Sequence, residues 1–261
     1  MKIIAITQAR YGSSRLPGKV LKTINGKSLL QLHLERAAKS KKIDGLIVAT
    51  TVEKEADAIE ALGNTMGLKT YRGSINDVLD RFYQAVKSEQ PDYLVRITSD
   101  CPLIDATVID QVIERCISEG CDYCSNTLNP TYPDGADVEV MKFSALEKAW
   151  KEATLTSERE HVTPYIWKNS TAKGGKLFKG LSFENEKDFS NYRLTVDEAS
   201  DFELITKLIL LFEYWSNLDQ PKYLILTNKF FHFDIKIEYY FLSNQKFQLQ
   251  QILQNLILIL K

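Results

Sequence analysis

The chain has 261 residues, a formal net charge of −1 and a 44% share of hydrophobic residues, enough to bury a full core in one large α/β domain or two small ones. A charge balance this close to zero argues against bulk nucleic-acid binding, which shows as a basic excess. No apolar run reaches the roughly 18 uncharged residues of a membrane span, and residues 1–5 lead into a strand without an apolar leader region, so a cytoplasmic protein is expected.

Residues 2–7 read as a buried strand. The chain then enters a basic, glycine-punctuated loop, Gln8-Ala9-Arg10-Tyr11-Gly12-Ser13-Ser14-Arg15-Leu16-Pro17-Gly18-Lys19. Leu29, Leu30, Leu32, Leu34 and Ala37 recur at helical spacing, which predicts a helix over 29–40. A strand follows at 45–51, a helix at 54–66 that stops near Gly67, and a short strand at 69–71. Val78, Leu79, Phe82 and Val86 share one side of a helix predicted over 77–89. Next come a strand at 92–98, a helix at 106–119, a strand at 137–142 and a helix at 144–153. An apolar strand is expected just ahead of Asp197, with a helix after it. Repeated strand–helix alternation predicts an α/β fold with a mostly parallel sheet and helices on both faces.

Five segments carry candidate chemistry. The first loop combines Arg10, Arg15 and Lys19 with Ser13, Ser14, Gly12 and Gly18 at the end of a strand. Glycines let backbone N–H groups approach phosphate oxygens, and three cations offset the roughly three to four charges of a triphosphate. A solvated basic loop is the plainer reading. Asp100 follows a buried strand in Val95-Arg96-Ile97-Thr98-Ser99-Asp100-Cys101-Pro102-Leu103-Ile104-Asp105, and either makes a turn or offers an oxygen ligand to Mg²⁺. Asp197 ends Tyr192-Arg193-Leu194-Thr195-Val196-Asp197, with Asp201 placed to charge-match the next helix. In Tyr71-Arg72-Gly73-Ser74-Ile75-Asn76-Asp77, the Ser74/Asp77 pair reads as a capping box. The last group joins Glu139, after Pro133-Asp134-Gly135-Ala136-Asp137-Val138, with Glu158-Arg159-Glu160-His161, which is dense in ionisable groups. Cys121 and Cys124 form a CxxC without a second pair or a nearby His, so Cys101, Cys116, Cys121 and Cys124 are read as buried free thiols. The first loop lacks both the Gly-x-Gly-x-x-Gly of dinucleotide binders and the Gly-x-x-x-x-Gly-Lys-Ser/Thr of P-loops.

The strings Gln8-Ala9-Arg10, Ser13-Ser14-Arg15-Leu16-Pro17-Gly18-Lys19 and Asp100-Cys101-Pro102-Leu103-Ile104-Asp105 resemble nucleotide-sugar cytidylyltransferases, above all the SpsF-like branch related to the CMP-sialic acid and CMP-Kdo enzymes. The resemblance covers about residues 1–207. It implies a nucleotide-diphospho-sugar transferase fold, GT-A-like and Rossmann-like. The implied reaction is attack of a sugar or sugar-acid acceptor on the α-phosphorus of CTP, with release of pyrophosphate. Arg10, Arg15 and Lys19 would hold the triphosphate, and Asp100 and Asp197 would hold Mg²⁺. Ala9, Gly12, Ser13, Ser14, Arg72, Gly73, Arg96 and Glu139 would line the nucleotide site, with Arg72 and Gly73 beside the base. Glu139, Arg159, Glu160 and His161 would face the acceptor, and His161 or Glu160 would take its proton. Relatives of this kind suggest a homodimer. A glycosyltransferase using a ready-made nucleotide sugar, and a non-catalytic family member, are the alternatives.

Residues 200–261 contain no Ala, Gly, Val or Arg, unlike the preceding chain. The nucleotidyltransferase domain is therefore placed at 1–207 and an atypical apolar, Asn/Lys/Gln-rich tail at 208–261. A helical tail packed on a partner, a divergent tail from an A+T-rich genome and a frameshift product are the three readings. The frameshift is favoured because the resemblance ends near Lys207.

Overall fold

The computed structural model describes residues 1–216. In chain order the elements are β1 (Ile3–Gln8), β2 (Thr23–Ile24), β3 (Lys27–Ser28), α1 (Leu29–Ala37), β4 (Gly45–Thr51), α2 (Asp57–Thr65), β5 (Lys69–Gly73), α3 (Val78–Val86), β6 (Tyr93–Thr98), α4 (Ala106–Ser118), β7 (Tyr123–Ser125), β8 (Glu139–Lys142), α5 (Phe143–Glu152), α6 (Thr156–His161), α7 (Pro164–Lys168), β9 (Gly180–Ser182) and α8 (Ala199–Ser216). Seven strands form one sheet in the order β5-β4-β1-β6-β8-β7-β9, and β2 and β3 form a separate hairpin. Only β8 runs against the others in the large sheet, pairing antiparallel with both β6 and β7.

Period-two alternation on β1 decides which core each side chain joins. Ile3 and Ala5 pack with Leu30 and Leu34 of α1, Ile59 of α2 and Val112 of α4. Ile4 and Ile6 pack on the opposite face with Leu79 and Phe82 of α3 and Leu146 of α5. A third cluster joins Ile24 and Leu29 to Leu194, Val196 and, on α8, Ile205 and Leu208. Helix starts follow local chemistry: Ser28 caps α1, Asp77 caps α3 and Asp105 caps α4 through side-chain oxygens that accept backbone N–H groups.

The mostly parallel sheet with helices on both faces matches the expectation. Ser74 is not the cap itself: its hydroxyl accepts from Asp77 N at 3.0 Å, and Asp77 caps the helix. The segment expected as a strand before Asp197 is not one. Its contact with the sheet region is an isolated bridge between Asp134 and Arg193. Val196 N donates to Asp100 O at 2.8 Å, so the segment crosses the end of β6 instead of extending the sheet. Leu194 and Val196 are buried against α8, which accounts for their apolar pattern. The four cysteines are buried thiols. The boundary set at 207 falls inside α8, and the tail readings for 217–261 lie outside the described residues. No helix among the described residues is long and apolar enough to cross a membrane.

Candidate active site

β1 pairs with β4 on one side and β6 on the other, all parallel. The chain winds outward to β4 and β5, then returns across β1 to β6, which makes the β1/β6 junction a topological switch point. Open α/β sheets bind ligands at such points, beyond the carboxyl ends of the strands. A cleft of about 280 Å³ lies there, between Gln8 and Ala9 at the end of β1 and Thr98, Ser99 and Asp100 at the end of β6.

The basic loop forms one wall. Gly18 adopts φ +66°, and its N–H closes the loop by donating to Tyr11 O at 3.0 Å. A Cβ at Gly18 would stand 3.0 Å from the Tyr11 ring, so both the left-handed backbone and the close approach call for glycine. Ala9, Arg10, Ser13, Ser14, Arg15 and Lys19 all line the cleft. Gly12 is exposed, with open space where a Cβ would stand.

Lys19 is 9% exposed. Its ammonium lies 3.0 Å from Asp100 Oδ2 and 2.9 Å from Asp197 Oδ1, and donates to Val196 O at 2.8 Å. Burial works against the charged forms of all three side chains. The two carboxylates nevertheless raise the Lys19 pKa above its ordinary value. Lys19 in turn holds Asp100 below the usual carboxylate value. Asp197 is held low by Lys19 and Arg193. Arg15 Nη2 is 3.0 Å from Asp197 Oδ1, and Arg193 Nη2 is 2.7 Å from Asp197 Oδ2. Asp201 accepts from the N–H groups of Asp197 and Glu198 at 2.8 and 2.9 Å, fixing the turn that presents Asp197.

Two carboxylates converging on one point are a hard-oxygen donor pair that fits Mg²⁺, which favours a few protein carboxylates plus phosphate oxygens and water. Among the described residues no group of three or more His, Cys, Asp or Glu side chains could hold a metal ion. Asp100 and Asp197, which meet at the Lys19 ammonium, are the carboxylates that would hold such an ion.

Glu160 and His161 line the opposite wall and are exposed. The turn behind them is strained. Val162, a β-branched residue, has φ 72° and ψ −58°, and Thr163 N donates to His161 O at 2.9 Å. That is a γ-turn of the rarer, costlier hand. Arg159 does not reach the cleft. It binds Asp77 at 2.8 Å and the carbonyls of Trp150 and Ala153, tying α6 to α3 and α5.

Besides Gly12, four expected site residues stand outside the cleft lining. Arg72 is held by Asp57 and Glu60 and by the carbonyls of Thr51 and Glu53. Gly73 packs behind the cleft wall, where an added Cβ would meet Arg81 Cγ at 2.9 Å. Arg96 and Glu139 form a buried ion pair across β6 and β8, and the Tyr123 hydroxyl donates to Glu139 at 2.7 Å. Near that pair, burial and the carboxylates of Asp134, Glu139 and Asp100 push Asp137 up to about 7.

Other contributors escaped the sequence reading. His33 is fully buried; its Nδ1 bonds Cys101 O at 2.9 Å and its Nε2 bonds the Thr7 hydroxyl at 3.0 Å. A carbonyl only accepts, so Nδ1 carries the proton, and neutral His33 ties the Asp100 turn to β1. Burial pushes its pKa down to about 4. Arg81 lines the cleft from the buried side of α3. Burial and neighbouring Arg10 push its pKa down to about 10. An arginine embedded in the apolar stripe Val78, Leu79, Phe82 was the available signal.

A cytidylyltransferase family model matches residues 4–230. An uncharacterized protein of Methanocaldococcus jannaschii is 46% identical over 210 residues, 80% of this chain and 83% of that protein. The spore coat polysaccharide biosynthesis protein SpsF of Bacillus subtilis is 35% identical over 213 residues, 79% of this chain and 85% of SpsF. The structure of a cytidylyltransferase from Leptospira borgpetersenii serovar Hardjo-bovis aligns with a TM-score of 0.76 at 36% identity, covering 81% of this chain and 87% of that one.

Proposed function

The chain belongs to the cytidylyltransferase family, and from that premise we propose that it transfers the cytidylyl group of CTP to a sugar or sugar-acid acceptor used in surface polysaccharide synthesis. The observation that carries the reading is the junction of Lys19 with Asp100 and Asp197 at the mouth of the basic loop. It brings triphosphate-binding cations and a carboxylate pair into one cleft. The polysaccharide role in the name of the Bacillus subtilis relative supports the acceptor class.

In this mechanism an acceptor oxygen attacks the α-phosphorus of CTP. The bond from that phosphorus to the bridging oxygen breaks, and pyrophosphate leaves. Arg15 and Lys19 are drawn from their carboxylates to the triphosphate, and with Arg10 they stabilise the charge that grows on the departing pyrophosphate. Asp100 and Asp197 would hold Mg²⁺, which would supply charge neutralisation to the transfer. Glu160 or His161 takes the acceptor proton. No protein nucleophile is needed, because positioning and electrostatics carry this class of transfer. Ile75 and Val78 give the cleft an apolar wall against which a pyrimidine ring packs.

The test is pyrophosphate release from CTP and Mg²⁺ against a panel of sugar acids and sugar phosphates. CMP-linked product from one acceptor class is the expected result. Turnover only with a UDP- or GDP-sugar donor would replace this reading with the glycosyltransferase.

A further inference from the structure

Arg81 is 2% exposed, yet it reaches the wall of the cleft. Its Nη1 donates to Ser74 O at 2.9 Å. Its Nε is sealed from solvent and has no acceptor. No carboxylate pairs with Arg81 among the described residues, and the charge facing it is another cation, Arg10, on the same cleft. The other two cations of the cleft, Arg15 and Lys19, both have carboxylate partners. A buried guanidinium without a counter-charge is costly in a folded protein. Such a group persists where a ligand completes it.

We propose that Arg81 is a nucleotide-binding residue, its guanidinium donating, beside Arg10, to an electron-rich oxygen of the bound nucleotide. This rests on the CTP reading above and deepens it. The acceptor oxygen belongs either to a phosphate or to the carbonyl of the base. The lowered pKa of Arg81 is the electrostatic expression of the same missing partner. A purely structural role, clamping the 73–77 turn through Ser74, would use one donor and leave the rest of the fork without purpose.

The experiment compares wild type, Arg81→Met and Arg81→Lys in unliganded melts and in calorimetric titrations with CTP, cytidine and tripolyphosphate. Arg81→Met removes the uncompensated charge and keeps the stem, so its unliganded melt should be no lower than that of wild type. Its CTP affinity should fall at least about tenfold, the scale of one charge-assisted hydrogen bond. Arg81→Lys, with a single-point ammonium in place of a planar fork, should lose affinity to a smaller degree. Parallel loss for tripolyphosphate assigns the contact to phosphate, and parallel loss for cytidine assigns it to the base carbonyl; either supports the proposal. An Arg81→Met protein that melts lower than wild type and binds CTP within twofold of it overturns the proposal, as does undiminished CTP affinity in Arg81→Lys if Arg81→Met does not fold. Wild type that binds no CTP would refute the functional reading instead. The unliganded melts then still decide on Arg81, since a lower melt for Arg81→Met would show a structural clamp.

Discussion

Replacing Lys19 by Met removes the ammonium between Asp100 and Asp197 while filling most of its volume. The two carboxylates do not suffer equally. Asp197 keeps Arg15 and Arg193, whereas Asp100 has no other cationic partner among the described residues. Breaking a buried ion pair costs about 3–5 kcal/mol. Because Asp197 remains paired, the lower end applies, about 3 kcal/mol, or a fall of roughly 6–12 °C in melting temperature for a chain of this size. The pH dependence carries a sign. In wild type the depressed Asp100 and Asp197 contribute stability above the unfolded value of 3.8 and lose it as pH falls through their lower folded values. Raised Lys19 contributes below 10.5 and loses that contribution as pH climbs through its folded value. In the variant, burial and Asp197 raise Asp100 against only the hydrogen bond from Thr98, so protonation relieves the strain and the deficit shrinks toward acid. Millimolar Mg²⁺ or Mn²⁺ should also stabilise the variant more than wild type, by filling the place of the ammonium. Chemical melts at pH 5 and 8, with and without the cation, read both effects. A variant as stable as wild type at pH 8, or a deficit indifferent to both pH and cation, would refute the reasoning.

His33→Gln tests the buried imidazole. Its folded pKa of about 4 lies below the unfolded 6.5, so its contribution is complete above pH 6.5 and declines by about 3 kcal/mol as pH falls toward 4. Raised Asp137 works in the opposite direction over much of that range, so the observable is the stability difference between wild type and variant, and a difference constant from pH 7 to 4.5 would contradict the assignment. At Val162 the left-handed backbone should invert the usual order of substitutions: Gly relieves about 1–3 kcal/mol of strain that Ala retains, so Val162→Ala should melt below Val162→Gly. For the sheet pair, Arg96→Met alone should cost about 3–5 kcal/mol by stranding Glu139. Adding Glu139→Gln, which preserves the acceptor for Tyr123, should restore most of it in a double-mutant melt.

Strand–helix alternation made the sheet and its two helical layers legible, because side-chain period alone separates Ile3 and Ala5 from Ile4 and Ile6. Elements that depend on distant partners were not legible. β7 and β9 are three residues each, too short to show a period, and they exist because β8 and β7 offer edges to them. The 192–196 segment has a strand's composition, but its apolar residues serve the α8 cluster and its backbone crosses the sheet end. At the candidate site, the basic loop and Asp100 stood out because their residue types are unusual after buried strands, and Asp197 because it ends an apolar segment that only resembles a strand. Arg81 and His33 were hidden inside helix patterns. Arg72, Arg96 and Glu139, expected at the nucleotide site, are held by protein partners 12 to 43 residues away in sequence, which the local pattern does not show.

Calorimetric titration of the full chain with CTP, with and without Mg²⁺ and against ATP, GTP and UTP, tests the central claim most directly. The account predicts Mg²⁺-dependent binding that favours CTP and is lost in Asp100→Ala. A cooperatively folded protein that binds no nucleoside triphosphate under either condition would contradict it.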